Sequence, residues 1–358
     1  MGSGVLTEGP GAGGAAAVAA ASLFVDVMTK IPNRAEPMQT RAPLLVATLG
    51  PTSVGIESDL AAFGVSQFRL NASHMTRDGL CERIAAAHRL APGVPVIVDL
   101  QGAKMRLGDF EPCTVEAGAR LRFAPERDDL RGLIPLPHPE AYSALSPGDR
   151  VSIDDGRLSG LVEHVEAGAL VIRLLNGGAL KSRKGFNREA HPVVLNDLCA
   201  RDVELARAAY ASGCRAFAVS FVENGCECDW VRRLFSDVQV VAKIERQDAL
   251  ANFDSIAKLS DALWICRGDL GVQLGFSHLA RAVASIDPTR FERPVYMAGQ
   301  VLEHLTAHRD ATRSEICHVY DLVQRGYAGI VLSDETAIGC DPVNAARLAR
   351  SFLDAARD

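Results

Sequence analysis

Eight short runs of apolar, often β-branched residues recur along this chain, each followed by a stretch whose apolar positions repeat with a helical period. They are LLVATLG (44–50), QFRLN (67–71), PVIVDL (95–100), AFAVSF (216–221), VQVVAKI (238–244), ALWIC (262–266), PVYMAG (294–299) and GIVLSD (329–334). Near-continuous apolar strands imply a parallel sheet buried on both faces, with helices such as Thr76–Leu90, Ala200–Ser212 and Arg313–Arg325 as its cover. Eight such units predict an α/β fold, closed into a (β/α)8 TIM barrel.

Between the third and fourth runs the texture changes. Residues 107–185 hold short alternating segments, among them RLRFAPE, GDRVSIDDG and GLVEHVEAGALVIRLLNGG, separated by Gly and Asp turns. This pattern predicts a small all-β lid domain inserted after strand 3. Removing it and the leader leaves about 240 residues, close to the usual length of such a barrel. The expected organisation is a leader and linker over 1–42, a barrel over 43–106 and 186–358, and the insert over 107–185. The Gly/Ala-rich leader has no basic residue ahead of its apolar segment Ala15–Val25, so it does not read as a signal peptide.

Composition narrows the function classes. The 358 residues are 48% hydrophobic and 23% charged, as in ordinary globular proteins. A formal net charge of -6 argues against nucleic acid and anionic membranes as partners, and no apolar run is long enough to span a bilayer. Nine irregularly spaced cysteines complete no metal-site spacing; they read as reduced thiols, which points to a cytoplasmic protein.

Barrels of this kind place their chemistry at the carboxyl ends of the strands. Those ends carry Arg69, Asn71 and His74, then Asp99, Ser220, Lys243 and Glu245, then Gly268, Asp269, Gly299 and Ser333. Glu245 and Asp269 end neighbouring strands, about 4.8 Å apart, so both can hold one hard cation such as Mg2+ or Mn2+. The other reading is that each simply pairs with an arginine. Lys243 shares a strand face with Glu245, where an ammonium would offset charge on a transferring phosphoryl group. Arg69 and Arg106 suit a bidentate clamp on phosphate. Gly268 and Asp269 precede a short helix whose N–H groups suit a substrate carboxylate.

The segments TLGPTS, RLNASH, SIDDG, NGGALKSRKGFN, AKIER, ICRGDLG, ATRSE and LSDETAIG fall in that order between about Leu44 and Ala356. Together they resemble the motifs of the pyruvate kinase family. The resemblance implies phosphoryl transfer between phosphoenolpyruvate and ADP/ATP, a glycolytic step, with a divalent metal at Glu245 and Asp269. It makes Lys243 the catalytic lysine, with Arg69, Arg106 and Ser333 beside it. It puts Lys104, Ser220, Gly268, Asp269 and Gly299 at the substrate. Pro51, Asn71 and His74 match positions around the nucleotide, over which Asp155 and Lys184 of the insert would close.

Three departures qualify that picture. The family's DTKGPEIR reads here Asp99-Leu100-Gln101-Gly102-Ala103-Lys104-Met105-Arg106, which resembles the branch that needs no potassium, a lysine ammonium taking the place of K+. The family's ATQ reads Ala298-Gly299-Gln300; the missing hydroxyl implies weaker proton delivery, or a substrate bulkier than phosphoenolpyruvate in an enlarged pocket. Asp334 likewise replaces a glycine and adds an acid near the rim. The sequence also stops after the eighth helix, without the family's carboxyl-terminal domain; no sugar-phosphate allostery is expected, and a monomer or homodimer is. Two other functions fit the rim: a metal-dependent lyase acting on a 2-oxo acid through an enolate, and a catalytically impaired binding scaffold. Retention of Lys184, Asp155 and His74 favours a nucleotide over the first, and the intact Lys243, Glu245, Asp269 and Arg69 count against the second.

Overall fold

The computed structural model describes residues 42–125, 132–154, 156–166, 168–189 and 192–357; all but the last residue of the expected leader, and Asp155, lie outside them. The chain begins with β1 (Leu44–Thr48), β2 (Gln67–Asn71) and β3 (Val96–Leu100). It then enters the insert, with β4 (Cys113–Val115), β5 (Arg120–Ala124), β6 (Leu133–Pro135), β7 (Arg150–Ile153), β8 (Leu158–Glu166), β9 (Ala169–Leu174), β10 (Gly178–Leu180) and β11 (Phe186–Arg188). It returns through β12 (Ala216–Val219), β13 (Gln239–Ile244), β14 (Ala262–Cys266), β15 (Val295–Ala298) and β16 (Gly329–Leu332). The eight expected runs supply the eight strands of a closed barrel, in the order β1-β16-β15-β14-β13-β12-β3-β2. Some runs stop early: GIVLSD leaves the sheet after Leu332, where Ser333 leads into the helix Asp334–Ala337 and its N–H donates to Glu335 Oε2 at 2.7 Å.

Strand alternation divides the apolar residues into two populations. Inside the barrel, Val46, Ile97, Val241, Trp264, Tyr296 and Val331 pack against Ala216, Ala218 and Ala298, large side chains facing small ones. On the outside, Leu45, Phe68 and Leu70 meet the covering helices. The helix Arg77–Leu90 buries Leu80, Ile84 and Ala87, spaced four and three residues apart on one face, and starts where Thr76 Oγ1 accepts the Gly79 N–H at 3.2 Å. Each leucine sealed in this way contributes about 1.5–3 kcal/mol. No helix among the described residues is long and apolar enough to cross a membrane.

The insert is a six-stranded sheet, β11-β7-β8-β9-β5-β6, with a separate ribbon β10-β4. Period-two burial of Leu170, Ile172 and Leu174 in β9 shows which face is covered. Two details differ from the expected all-β insert over 107–185. A short helix, Pro139–Ala144, joins the strands, and β11 pairs with β7, which carries the sheet to Arg188. Arg106 forms an isolated bridge with Gly185, so the chain's exit from the barrel and its return run side by side.

Candidate active site

Asp99, near the end of β3, organises the barrel rim. Its carboxylate accepts from Arg69 Nε at 2.8 Å, lies 2.6 Å from Arg69 Nη2 and 3.0 Å from Lys243 Nζ, and accepts from Ser220 Oγ at 3.1 Å. Lys243 Nζ also donates to Ser220 Oγ at 2.8 Å and meets Glu245 Oε1 at 3.0 Å. These groups are almost sealed from solvent, so an unpaired member would be costly. Burial opposes the Lys243 charge, but Asp99 and Glu245 outweigh it and push its pKa above the ordinary value. Burial likewise works against the Asp99 charge, and Lys243 and Arg69 reverse that, holding its pKa low.

Above this lattice the strand ends open into a cavity of about 200 Å³, below the range typical of drug-sized ligands. Of the expected site residues, Arg69, Asn71, Lys104, Arg106, Ser220, Lys243, Glu245, Gly268, Asp269, Gly299 and Ser333 all line it. Gly268 and Asp269 stand within the first turn of the helix Arg267–Leu274, one step further on than expected. Lys104 Nζ lies 2.9 Å from Asp269 Oδ1 and 4.5 Å from the centroid of the Phe221 ring, and the Phe221 N–H donates to Glu245 Oε2 at 2.9 Å. Counting Arg69, Lys104, Arg106 and Lys243 against Asp99, Glu245 and Asp269 leaves the site one positive charge in excess, fitted to an anion.

The two arginines differ. The Arg69 fork is committed to Asp99, and its Nη1 donates to Thr48 Oγ1 at 3.0 Å, so Arg69 is a fixed positive wall and not the free bidentate clamp expected of it. Arg106 Nη1 donates to the Arg183 carbonyl at 3.0 Å, and its Nε is buried without a hydrogen-bond partner, a donor still unspent.

Gly299 lines the cavity at φ +77°, and a Cβ there would meet Gly268 N at 3.3 Å and Arg267 N at 3.4 Å. The space left by the missing side chain therefore opens over the first amides of the helix Arg267–Leu274. Asp334, the suspected additional acid, is exposed and outside the cavity lining. Its neighbour Glu335 is buried, accepts the N–H groups of Leu302 at 3.0 Å and Ser333 at 2.7 Å, and is pushed by burial above the usual carboxylate pKa.

The residues expected around the nucleotide are more scattered. Asn71 Oδ1 accepts from Ser73 N at 3.2 Å and so shapes the turn after β2. His74 is exposed to solvent; desolvation first, then Arg106, Lys184, Arg183 and Arg69, depress its pKa. Pro51 opens an exposed 3-10 turn and does not line the cavity. Lys184 Nζ sits 3.0 Å from Asp154 Oδ1. Asp154, at φ +54°, is thus the described carboxylate of SIDDG that meets Lys184, while Asp155, expected with Lys184 over the nucleotide, lies outside the described residues. Spacing cannot separate two adjacent aspartates.

Sequence reasoning also passed over Arg267. Its Nε and Nη2 donate to the carbonyls of Gly299 at 3.0 Å and Gln300 at 2.7 Å, and its Nη1 meets His318 Nε2 at 2.9 Å. It braces a turn in which Gln300 holds φ +54°. Cys266 lies in the cavity wall, but burial and then Glu245 push its thiol well above the ordinary pKa, so it is a poor nucleophile.

No group of three or more His, Cys, Asp or Glu among the described residues is arranged to hold a metal ion. Glu245 and Asp269 nevertheless face one cavity, with the Asp269 side chain about a third exposed. One or two carboxylates, with water and phosphate oxygens, are the usual donors to Mg2+, so the pair fits that ion.

The family described as pyruvate kinase, barrel domain, matches residues 40–346. A pyruvate kinase of Methylorubrum extorquens is 34% identical over 321 residues, 86% of this chain and 67% of that protein. One from Agrobacterium vitis is 33% identical, covering 88% of this chain and 68% of its own length. One from Thermoplasma acidophilum is 31% identical, over 88% of this chain and 58% of its own length. The chain thus spans between about half and two thirds of the length of these relatives.

Proposed function

The chain belongs to the pyruvate kinase family, and from that premise we propose that it moves a phosphoryl group between an enol phosphate of the phosphoenolpyruvate class and ADP/ATP. The observation that carries this reading is the buried Lys243, held charged by Asp99 and Glu245 at the base of a small, net cationic cavity. A charge fixed there needs no reorganisation when a phosphoryl group passes above it. The cavity's size favours phosphoenolpyruvate itself over a bulkier analogue.

In the direction of ATP synthesis, the bond from phosphorus to the enol oxygen breaks and one to the terminal oxygen of ADP forms. Arg106 supplies unspent donors to the phosphoryl oxygens, while Lys243 and the Arg69 wall offset their charge. Glu245 and Asp269 would hold Mg2+ or Mn2+, which would supply Lewis-acid charge. The amides at the start of the helix Arg267–Leu274, those of Arg267 and Gly268 uncovered by Gly299, receive the substrate carboxylate. The enolate left behind takes a proton on its methylene carbon, a transfer we assign to Ser333, which lines the same cavity and whose hydroxyl would regain the proton from water. To Lys104, against Asp269 and the Phe221 ring, we assign the part of a monovalent cation, with turnover expected to be independent of K+.

The cations around His74 favour a polyanion beyond the substrate cavity, which phosphoryl transfer needs and a 2-oxo-acid lyase does not. The test is a ³¹P measurement with Mg2+, ADP and a panel of enol phosphates. ATP should appear with phosphoenolpyruvate; no ATP from any of them would overturn the assignment.

A further inference from the structure

A buried carboxylate outside the cavity grips the segment that carries Lys104 and Arg106. Asp202, on the helix Ala200–Ala211, accepts the N–H of Gln101 on Oδ1 at 3.2 Å and that of Gly102 on Oδ2 at 2.8 Å. From the other side, the Ala103 N–H donates to the Ser220 carbonyl at 2.9 Å. Gly102 is pressed so close that a Cβ would lie 2.3 Å from the same oxygen, and its φ is +61°. Gln101 Nε2 then closes the turn by donating to the Lys104 carbonyl at 2.8 Å. Neither Lys104 nor Arg106 stands on a barrel strand. Their placement rests on this clamped turn, the point where the chain leaves the barrel for the insert.

We infer that Asp202 is a positioning residue for the anion site: by holding the amides of Gln101 and Gly102 it keeps Lys104 against Asp269 and aims Arg106 into the cavity. The inference rests on the phosphoryl-transfer reading for its consequence, but its geometry is independent of turnover. Both oxygens act as acceptors, a role the charged carboxylate fills more strongly than the protonated acid, whose hydroxyl is a weak acceptor and brings a proton of its own. In Asp202→Asn one oxygen becomes an NH2 group facing an N–H, so one grip becomes a clash of donors.

Burial raises Asp202 to about 6, against an ordinary 3.8, the two amides only partly countering it; Asp99 raises it slightly further and Arg106 opposes. The neighbouring Cys199 thiol, pushed up to about 11, stays neutral across the range concerned. Acidification through about pH 6 should therefore loosen the turn in the wild type, as the asparagine does at every pH. Of the two histidines nearby, both with pKa values depressed first by desolvation, only His74 acts the other way, its protonation adding positive charge. His138 Nε2 accepts the Arg106 N–H at 3.0 Å, so its protonation removes an acceptor from the same segment, in wild type and variant alike, and the difference between the two isolates Asp202.

The experiment is calorimetric titration of the intact chain with inorganic sulfate, whose charge is constant over this range, from about pH 8 to about pH 5. The wild type should lose affinity on passing about pH 6, and Asp202→Asn should bind roughly tenfold more weakly at the high end and lose clearly less on acidification than the wild type. Amide exchange of residues 98–107 should quicken in the variant without a matching change in the barrel strands. Should the variant not fold, the wild-type titration and its exchange rates against pH still decide. Sulfate binding unchanged in the variant, or a wild-type affinity that only rises on acidification, would overturn the inference. Because sulfate needs no turnover, a failure of phosphoryl transfer would leave this test standing.

Discussion

At the barrel rim Lys243, Asp99 and Glu245 keep side-chain exposures of 8%, 2% and 4%, whereas at the insert Lys184, Arg183 and Asp109 keep 38%, 37% and 64%. Both regions pair charges at about 3 Å, yet the pairs do different work. A sealed lattice fixes charge where chemistry occurs, and its members hold one another in place at the cost of desolvation. Exposed pairs are screened and weak, and can exchange a protein partner for a ligand phosphate. The rim is thus built to stay, and the insert to let go.

The most severe way to break this contrast is Lys243→Met. It removes the central cation, leaving Asp99 with Arg69 alone and Glu245 without its cationic partner. Loss of stability should be about 3–5 kcal/mol, and kcat should fall on the order of 10³-fold. Melting curves and turnover on phosphoenolpyruvate check both. Unaltered stability would mean that the rim charges are not coupled as their distances imply.

Glu245→Gln is the next largest. Mn2+ affinity should fall by tenfold or more, roughly 1.4 kcal/mol, while the Phe221 N–H keeps an acceptor and the barrel stays folded. Unchanged Mn2+ binding by calorimetry would contradict the metal assignment. Lys104 tests the same rim from its open edge. Wild-type turnover should be indifferent to K+, and Lys104→Glu should cripple it and be partly restored by added K+; a strong K+ requirement in the wild type would sink the idea.

Gly299→Thr sharpens the contrast within the rim itself. A β-branched residue at φ +77° is strained by about 1–3 kcal/mol, and its Cβ would crowd the amides that receive the carboxylate. Its kcat/KM on phosphoenolpyruvate should fall about tenfold. A gain in activity would favour the enlarged-pocket reading instead.

The order of the strands, the insertion and the gathering of ionisable groups at one rim were legible because they depend on periodicity and on strand ends, which local sequence carries. Partners were harder. Arg69 reads as a free clamp until Asp99 and Thr48 are seen to occupy its donors. Asp202 lies on a helix and touches the site only through backbone N–H groups, so no side-chain motif reports it. Gly299 looked like a missing hydroxyl because a sequence gives no φ, and the φ decides where the vacated space lies.

The smallest effect should come from the insert. Lys184→Met breaks a pair whose lysine is more than a third exposed, and Asp154 keeps Arg157 at 3.5 Å, so stability should change by less than about 1 kcal/mol. The informative readout is His74. Desolvation lowers its pKa below 6.5, and Arg106, Lys184 and Arg183 lower it further. A histidine depressed in the folded state is protonated first in the unfolded chain. Stability is therefore lost as pH falls below 6.5 toward the folded value. Removing the Lys184 charge should raise the folded pKa toward 6.5 and narrow that window, a shift visible in the His74 ring resonances. Added ADP should raise it in the wild type as well, because nucleotide phosphates bring negative charge to the same cations. KM for ADP should rise several-fold in Lys184→Met while kcat stays nearly level, as for a group that meets the ligand equally before and during reaction. If His74 does not respond to either change, the cations of the insert do not face the nucleotide, and the contrast between a fixed rim and a yielding insert loses its functional meaning.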